Sequence, residues 1–306
     1  MLVYLAKRLG RALFTLILLM TMVFFSLKLV PGDPVSVALG PGATAEVAQA
    51  LRVKYGLDKP VLIQYLMFWK KLLLYGDLGV SWSSGIEVTR NLVPAIKHTA
   101  ILTSSAMLIA SLIGILAGVA SAAVRNRPED VAIRSSALIG ISMPVFVLNL
   151  LGQYLFGYKL GWFPTSGAAG LANLVLPAVT LGIFVASSMV RMVRASMLDV
   201  LSEEYITTYR AEGFGKGAIM RKAFRNALRD ISTIVGLQFG MLLGGSVLTE
   251  TVFSWPGIGQ YVVQAILWND MPSVQGAVLF FAVSYMFINL LIDLSYPFID
   301  PRVIRA

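Results

Sequence analysis

Residues Thr99–Val124 read TAILTSSAMLIASLIGILAGVASAAV. No charge interrupts this run, and roughly 20 apolar residues are enough for a helix to cross the hydrocarbon core of a bilayer. Within it, small residues recur at Ser111, Gly114, Gly118 and Ala122. That spacing puts them on one helix face, where a second backbone can approach closely. A face turned to lipid has no need of such residues, so the stretch is predicted to be a spanning helix packed against a neighbour.

Five more apolar stretches of similar length flank it, at about Leu9–Val30, Ser136–Tyr158, Leu174–Val193, Ile231–Thr251 and Ala277–Phe298. The expected fold is therefore an all-α membrane protein of six transmembrane helices, forming one membrane domain over residues 1–306. Composition agrees: the chain is 57% hydrophobic and 13% charged, whereas soluble domains carry about 25% charged residues. Lys7, Arg8 and Arg11 before the first run resemble a signal peptide, but the run is too long and lacks a small-residue cleavage pattern, so it reads as an uncleaved anchor. Cysteine is absent and His98 is the single histidine. That excludes disulfides, thiol nucleophiles, thiolate metal sites and any site needing two histidines.

Orientation follows from the basic residues. Sixteen of the 25 Lys and Arg fall in segments that are internal if the N-terminus is internal, while the short outer loops 159–173 and 252–276 hold only Lys159. This bias predicts N-in and C-in. The net charge of +9 is thus an orientation signal rather than a nucleic-acid footprint.

The outer segment 31–97 is the largest piece outside the spans. Pro31-Gly32-Asp33-Pro34 should end the first helix, and Asp58 with Pro60 marks a helix start before Val61–Tyr75. Leu62, Tyr65, Leu66, Trp69 and Leu73 share one face of that helix, which either lies in the bilayer interface or packs within an outer subdomain. In the third span Pro144 should cause a kink, with Ser142, Asn149 and Gln153 around and beyond it. Gln238 and Asn289 are also polar groups in apolar runs. Such groups must face protein or water, so these five residues either line a translocation path or bond between helices. The fifth span repeats Gly236, Gly240, Gly244 and Gly245, a packing face whose partner lies in this chain or in another. Glu250 and Asp293 are the ionisable groups nearest the membrane interior and are functional candidates on that ground.

The inner segment 194–230 reads as two short helices broken at Gly213-Phe214-Gly215. Leu198, Leu201 and Tyr205 fall on one face opposite Asp199 and Glu203, a pattern suited either to a groove on a soluble partner or to the lipid surface. Gly213-x-Gly215-x-x-Ala218 mimics a dinucleotide fingerprint, but no strand precedes it, and no P-loop occurs anywhere.

Glu204-Tyr205-Ile206-x-Thr208-x-Arg210-Ala211-x-Gly213 followed by Arg225-Asn226-Ala227 resembles the coupling (EAA) loop of ABC importer permeases. The similar subfamily serves dipeptides, oligopeptides, glutathione and nickel chelates. Further matching blocks are Leu29-Val30-Pro31-Gly32-Asp33-Pro34, Tyr55-Gly56-Leu57-Asp58-x-Pro60, Gly76-Asp77-Leu78-Gly79-Val80-Ser81, Gly161-Trp162-x-Pro164, Glu250-Thr251-Val252-Phe253-Ser254-Trp255-Pro256-Gly257-Ile258-Gly259 and Asp300-Pro301-Arg302. They run through almost the whole chain, and the first-permease type fits best.

The resemblance implies a non-catalytic subunit of the bacterial or archaeal cytoplasmic membrane, forming half of a path for peptides or a related small solute. Its implied partners are a second permease, two cytoplasmic ATPases and an extracytoplasmic solute-binding protein, with ATP and Mg on the ATPases and no cofactor or metal on this chain. The implied coupling surface is Glu203, Glu204, Tyr205, Thr208, Arg210, Ala211, Gly213 and Phe214. Tyr205 and Phe214 are candidate groove-filling anchors, Arg210 a candidate partner for a carboxylate, and Gly213 suits a left-handed helix end. On the outer side, Glu250, Trp255, Pro256, Gly257 and Asp270 bracket a predicted short helix at Ile258–Leu267 that serves as gate or docking surface. An interfacial helix anchored by Trp255, Tyr261 and Trp268 is the other reading. The chain departs from the family pattern at Tyr209, usually alanine, at Glu212, usually lysine, and at Asn269-Asp270-Met271-Pro272. The alternative function, an ion-coupled secondary transporter or channel, would call for midplane charges, and none is evident.

Overall fold

The structure, a computed structural model, describes residues 2–29, 35 and 44–299, and the side chains of 10–29, 35, 44–288 and 290. The Pro31–Pro34 block, Asp300-Pro301-Arg302 and the side chains of Asn289 and Asp293 lie outside the described residues. The helices are α1 (Leu2–Leu29), α2 (Ala45–Tyr55), α3 (Val61–Tyr75), α4 (Val88–Ala123), α5 (Pro128–Ser142), α6 (Val145–Gly152), α7 (Leu171–Leu201), α8 (Glu204–Ala211), α9 (Lys216–Val252), α10 (Ile258–Leu267) and α11 (Met271–Ile299). Among the described residues, α1, α4, α7, α9 and α11 are each long and apolar enough to cross a membrane, and α5 with α6 makes a sixth span if the bent pair is counted as one.

That pair corrects the expected kink. A break at Ser142–Pro144 bends the chain by 98°. Proline lacks an N–H and pushes its predecessor out of the helical region, and here both residues leave it: Met143 has φ −85 and ψ 128, Pro144 φ −57 and ψ 138. Beyond α6 the chain continues as a π-helical turn, Gln153–Lys159. The fourth and fifth spans, α7 and α9, also outrun their apolar cores, reaching Leu201 and starting at Lys216. Hydropathy marks the lipid-exposed length, whereas the backbone ladder continues until glycine or a cap stops it.

The contacts group into two compact units, Met1–His98 with Pro256–Met286 and Thr99–Trp255 with Phe287–Ala306. In the second unit α7 is the centre. In its most apolar window 61% of residues are buried, against 39% or less in the other four single-helix spans. The seam predicted in Thr99–Val124 packs on it within the chain. A β-carbon at Gly114 would stand 2.6 Å from Met189 Cβ, and one at Gly118 would stand 2.8 Å from Val193 Cβ. From α7, Gly182 returns the approach, 3.0 Å from the Ala106 carbonyl oxygen on the same measure. Gly244 and Gly245 of α9, by contrast, have nothing within 4 Å of a built β-carbon.

In the first unit, α3 has the predicted bounds and combines the two readings offered for it. Tyr65 turns to α1, with its phenol 2.8 Å from Thr21 Oγ1 and its ring edge-on to Phe24. Leu62, Leu66 and Leu73 are exposed. The predicted helix α10 buries Ile258, Val262 and Ala265 against Leu92, Ala95, Val274 and Ala277.

Gly114→Ala should lower the thermal stability of the detergent-solubilised protein by about 1–3 kcal/mol through overpacking. Gly244→Ala should leave it unchanged, or raise it by up to about 1 kcal/mol through helix propensity. Equal unfolding temperatures for Gly114→Ala and the parent would contradict the packing of α4 on α7.

Candidate functional site

The predicted coupling segment begins where Ser202 and Glu203 interrupt the run of helix from α7. The eight residues of α8 are too few to hold a helix unaided, and three internal contacts support them. Ile206 is fully buried in the second unit's core. Asn226 Nδ2, on α9, donates to the Tyr205 phenol at 2.7 Å. The C-terminus closes on Gly213, whose φ of +83 is the expected left-handed conformation. There Gly213 N donates to Arg210 O at 3.1 Å and Phe214 N to Tyr209 O at 3.0 Å, a Schellman closure with the aromatic contact that often accompanies it.

Tyr209, one of the departures from the family pattern, fills the centre of this closure. Its ring packs edge-on to both Tyr205 and Phe214. Lys222 of α9 caps the group, its Nζ 3.8 Å from the Tyr209 ring centroid and 4.4 Å from that of Phe214. Lys222 carried no sequence signal beyond its charge, because an exposed-looking lysine a helix away gives no hint of the rings it covers. Tyr205 therefore serves inside the chain. Glu203, Glu204, Thr208, Arg210, Ala211, Gly213 and Phe214 are exposed, and no atom outside the local backbone lies within 4 Å of a β-carbon built on Gly213.

Three of the five polar residues proposed for a path are bonded between elements of the second unit. Asn149, fully buried, donates to Thr249 Oγ1 at 3.0 Å, while its Oδ1 has no partner. Gln153 donates to Thr165 O at 2.7 Å and Val252 O at 3.3 Å, and Gln238 to Ser188 Oγ at 3.0 Å. Ser142 is exposed at the break.

On the predicted outer side, Glu250 is fully buried and accepts from Thr99 Oγ1 at 2.7 Å. A second Schellman closure follows it: Trp255 N donates to Glu250 O at 2.8 Å, with Ser254 left-handed at φ 48 and Pro256 next in sequence. Trp255 is 4% exposed and belongs to the core of the second unit, which counts against its role as an interfacial anchor. In the first unit Asp270 caps α11 and gathers a turn far away in sequence. Its carboxylate accepts from Ser81 Oγ at 2.5 Å, Trp82 N at 3.0 Å, and Ser83 Oγ and Ser273 Oγ each at 2.9 Å. Beside it Tyr261 donates to Ser273 Oγ at 2.7 Å. Burial pushes that phenol up, which keeps it a donor.

Residues 110–305 match the family described as binding-protein-dependent transport system inner membrane component, and residues 1–87 match the N-terminal part described for such membrane components. The chain belongs to this family. It is similar to glutathione transport system permease proteins GsiC: 40% identical to that of Salmonella paratyphi A and 39% to that of Escherichia coli K12, each over 99% of both chains. The Pectobacterium atrosepticum protein of the same name is 41% identical over 99% of both chains. A chain of the MetNI methionine ABC transporter, solved in inward facing conformations, shares the fold with a TM-score of 0.59 and 20% identity, over 68% of this chain and 95% of that one.

The protein is thus an ABC importer permease subunit, a multi-pass protein of the bacterial inner membrane. Permease subunits of this kind are generally non-catalytic, and the ion-coupled carrier alternative is not favoured. For this permease, Lys222→Met keeps the aliphatic stem and removes the charge over Tyr209 and Phe214. The loss should be about 0.5–1 kcal/mol, read as faster amide hydrogen exchange across 204–214 with α7 unchanged. Unaltered exchange there would show that the cation does not hold the loop.

Proposed function

We propose that this permease pairs with a second, non-identical permease, and that α8 is the surface on which a cytoplasmic ATPase docks. The supporting observation is the division of labour in the loop. Ile206, Tyr205, Tyr209 and Lys222 hold α8 from within, leaving Glu203, Glu204, Thr208, Arg210 and Phe214 exposed. An exposed aromatic edge beside opposite charges is a suitable anchor for a groove on a partner. In this reading the termini and α8 are cytoplasmic, and the segments around Glu250 and Asp270 face outward, toward an extracytoplasmic solute-binding protein. ATP and Mg act on the partner ATPases, whose closure pushes α8 and, through α7 and α9, switches the path between two states. A short peptide is the proposed cargo class, and glutathione, which the similar permeases carry in their names, is the first compound to test.

Gly213→Val carries the central test, because a β-branched residue is strained at positive φ and opens the loop closure. In proteoliposomes holding the co-purified complex, the variant should retain ATP hydrolysis while losing ATP-dependent glutathione uptake about tenfold or more, in line with the cost of misplacing a docked element. Uptake and binding-protein-stimulated hydrolysis at parental levels would refute the coupling role of this turn.

A further inference from the structure

Asp130, in the first turn of α5 in the second unit, is a fully buried carboxylate. It accepts both arms of the Arg194 fork, Nε at 2.9 Å and Nη2 at 2.8 Å. Ser121 Oγ, near the end of α4, donates at 2.6 Å, and the backbone N–H of Asn126 in the intervening turn donates at 3.0 Å. Arg134, one turn along α5, lies 3.4 Å away. Both guanidinium donors meet this one carboxylate, so the contact is a bidentate, charge-assisted one with a fixed geometry.

Its position matters more than its strength. Arg194 sits about two turns before the end of α7, from which the chain passes through Ser202 and Glu203 into α8. Ser196, two residues on, donates to Asp230 of α9 at 3.2 Å. Elsewhere α5 meets α7 through a small-residue contact, Gly140 against Ser187, the type of interface along which packed helices slide by shear. The far end of the bent pair is bonded to α9, by Asn149 on Thr249 and Gln153 on Val252 O, and meets α7 only far from α8, where Gly152 packs on Thr180. The bidentate clasp is thus the directional link that ties α5 to the α8-proximal end of α7.

We propose that Asp130 and Arg194 are a positioning pair that makes the bent pair α5–α6 follow α7 when α8 is displaced. This inference rests on the importer reading, in which ATPase closure displaces α8.

The test uses the whole complex in proteoliposomes. Because this chain has no cysteine, Tyr158→Cys, at an exposed site at the end of the π-helical turn, gives a single reporter on it. The readouts are the change in its maleimide-labelling rate on adding ATP with vanadate, the ATPase rate and the unfolding temperature. Asp130→Ala, Arg194→Ala and the double variant should each lose the nucleotide-induced change to the same degree, roughly two- to thirty-fold, with hydrolysis retained. Stability should follow a different order: lowest in Arg194→Ala, which strands a buried carboxylate, and partly restored in the double variant. A merely structural pair would make the labelling change track stability across the three, and that result overturns the proposal. If an alanine variant fails to assemble, Arg194→Lys, which keeps the charge and loses the fork, decides: a full labelling change overturns the proposal and a reduced one supports it. A parent complex showing neither hydrolysis nor a nucleotide-induced change would overturn the importer reading, and the proposal with it.

Discussion

In hydrocarbon the surroundings of a helix are as apolar as its side chains, so association depends on how closely backbones can approach. In the second unit that condition is met around α7. Gly114 and Gly118 of α4, and Gly182 of α7 itself, bring main chain against neighbouring side chains at distances that admit no β-carbon. Gly152 of α6 does the same against Thr180. The burial of α7 is a consequence. The same helix leads directly toward α8, so the packing that fixes its register also fixes where α8 begins.

Two kinds of contact then share α8. Ile206 and the Tyr205–Asn226 bond face the core, while the acidic N-terminal side of α8 and Arg210 face away from it. The turn at Gly213 joins them, since its left-handed backbone returns Phe214 onto Tyr209 beneath Lys222. Tyr209 thus acts inward: it builds an aromatic floor for the loop rather than part of the exposed face.

Features set by local chemistry could be read from the chain alone. The limits of α3 and α10, the seam on α4 and the conformation of Gly213 all follow from residues within a few positions of one another. Pro144 was legible as a disturbance, but its effect was not, because the 98° bend depends on Met143 leaving the helix as well. Asp130 was missed for a different reason. Flanked by Arg127 and Arg134 it looks like a solvated turn residue, and its partner lies 64 residues away. Asp270 brackets the predicted gate or docking helix, and the structure adds that it clamps Ser81 across 189 positions. Pairings at such separations leave no periodicity behind, and they decide which polar groups hold the fold and which remain exposed.

In the proposed mechanism α8 is the place where another subunit applies force. The absence of cysteine from this chain makes that directly measurable. Thr208→Cys, on the exposed side of α8, and Tyr158→Cys, as a control outside the loop, can each be labelled with a maleimide photo-cross-linker, which inserts into any neighbouring chain on illumination, in the purified complex. Docking on α8 should give an adduct of this chain with an ATPase subunit from position 208 and none from position 158. Equal adducts from both, or none from 208 in a complex that hydrolyses ATP, would contradict it.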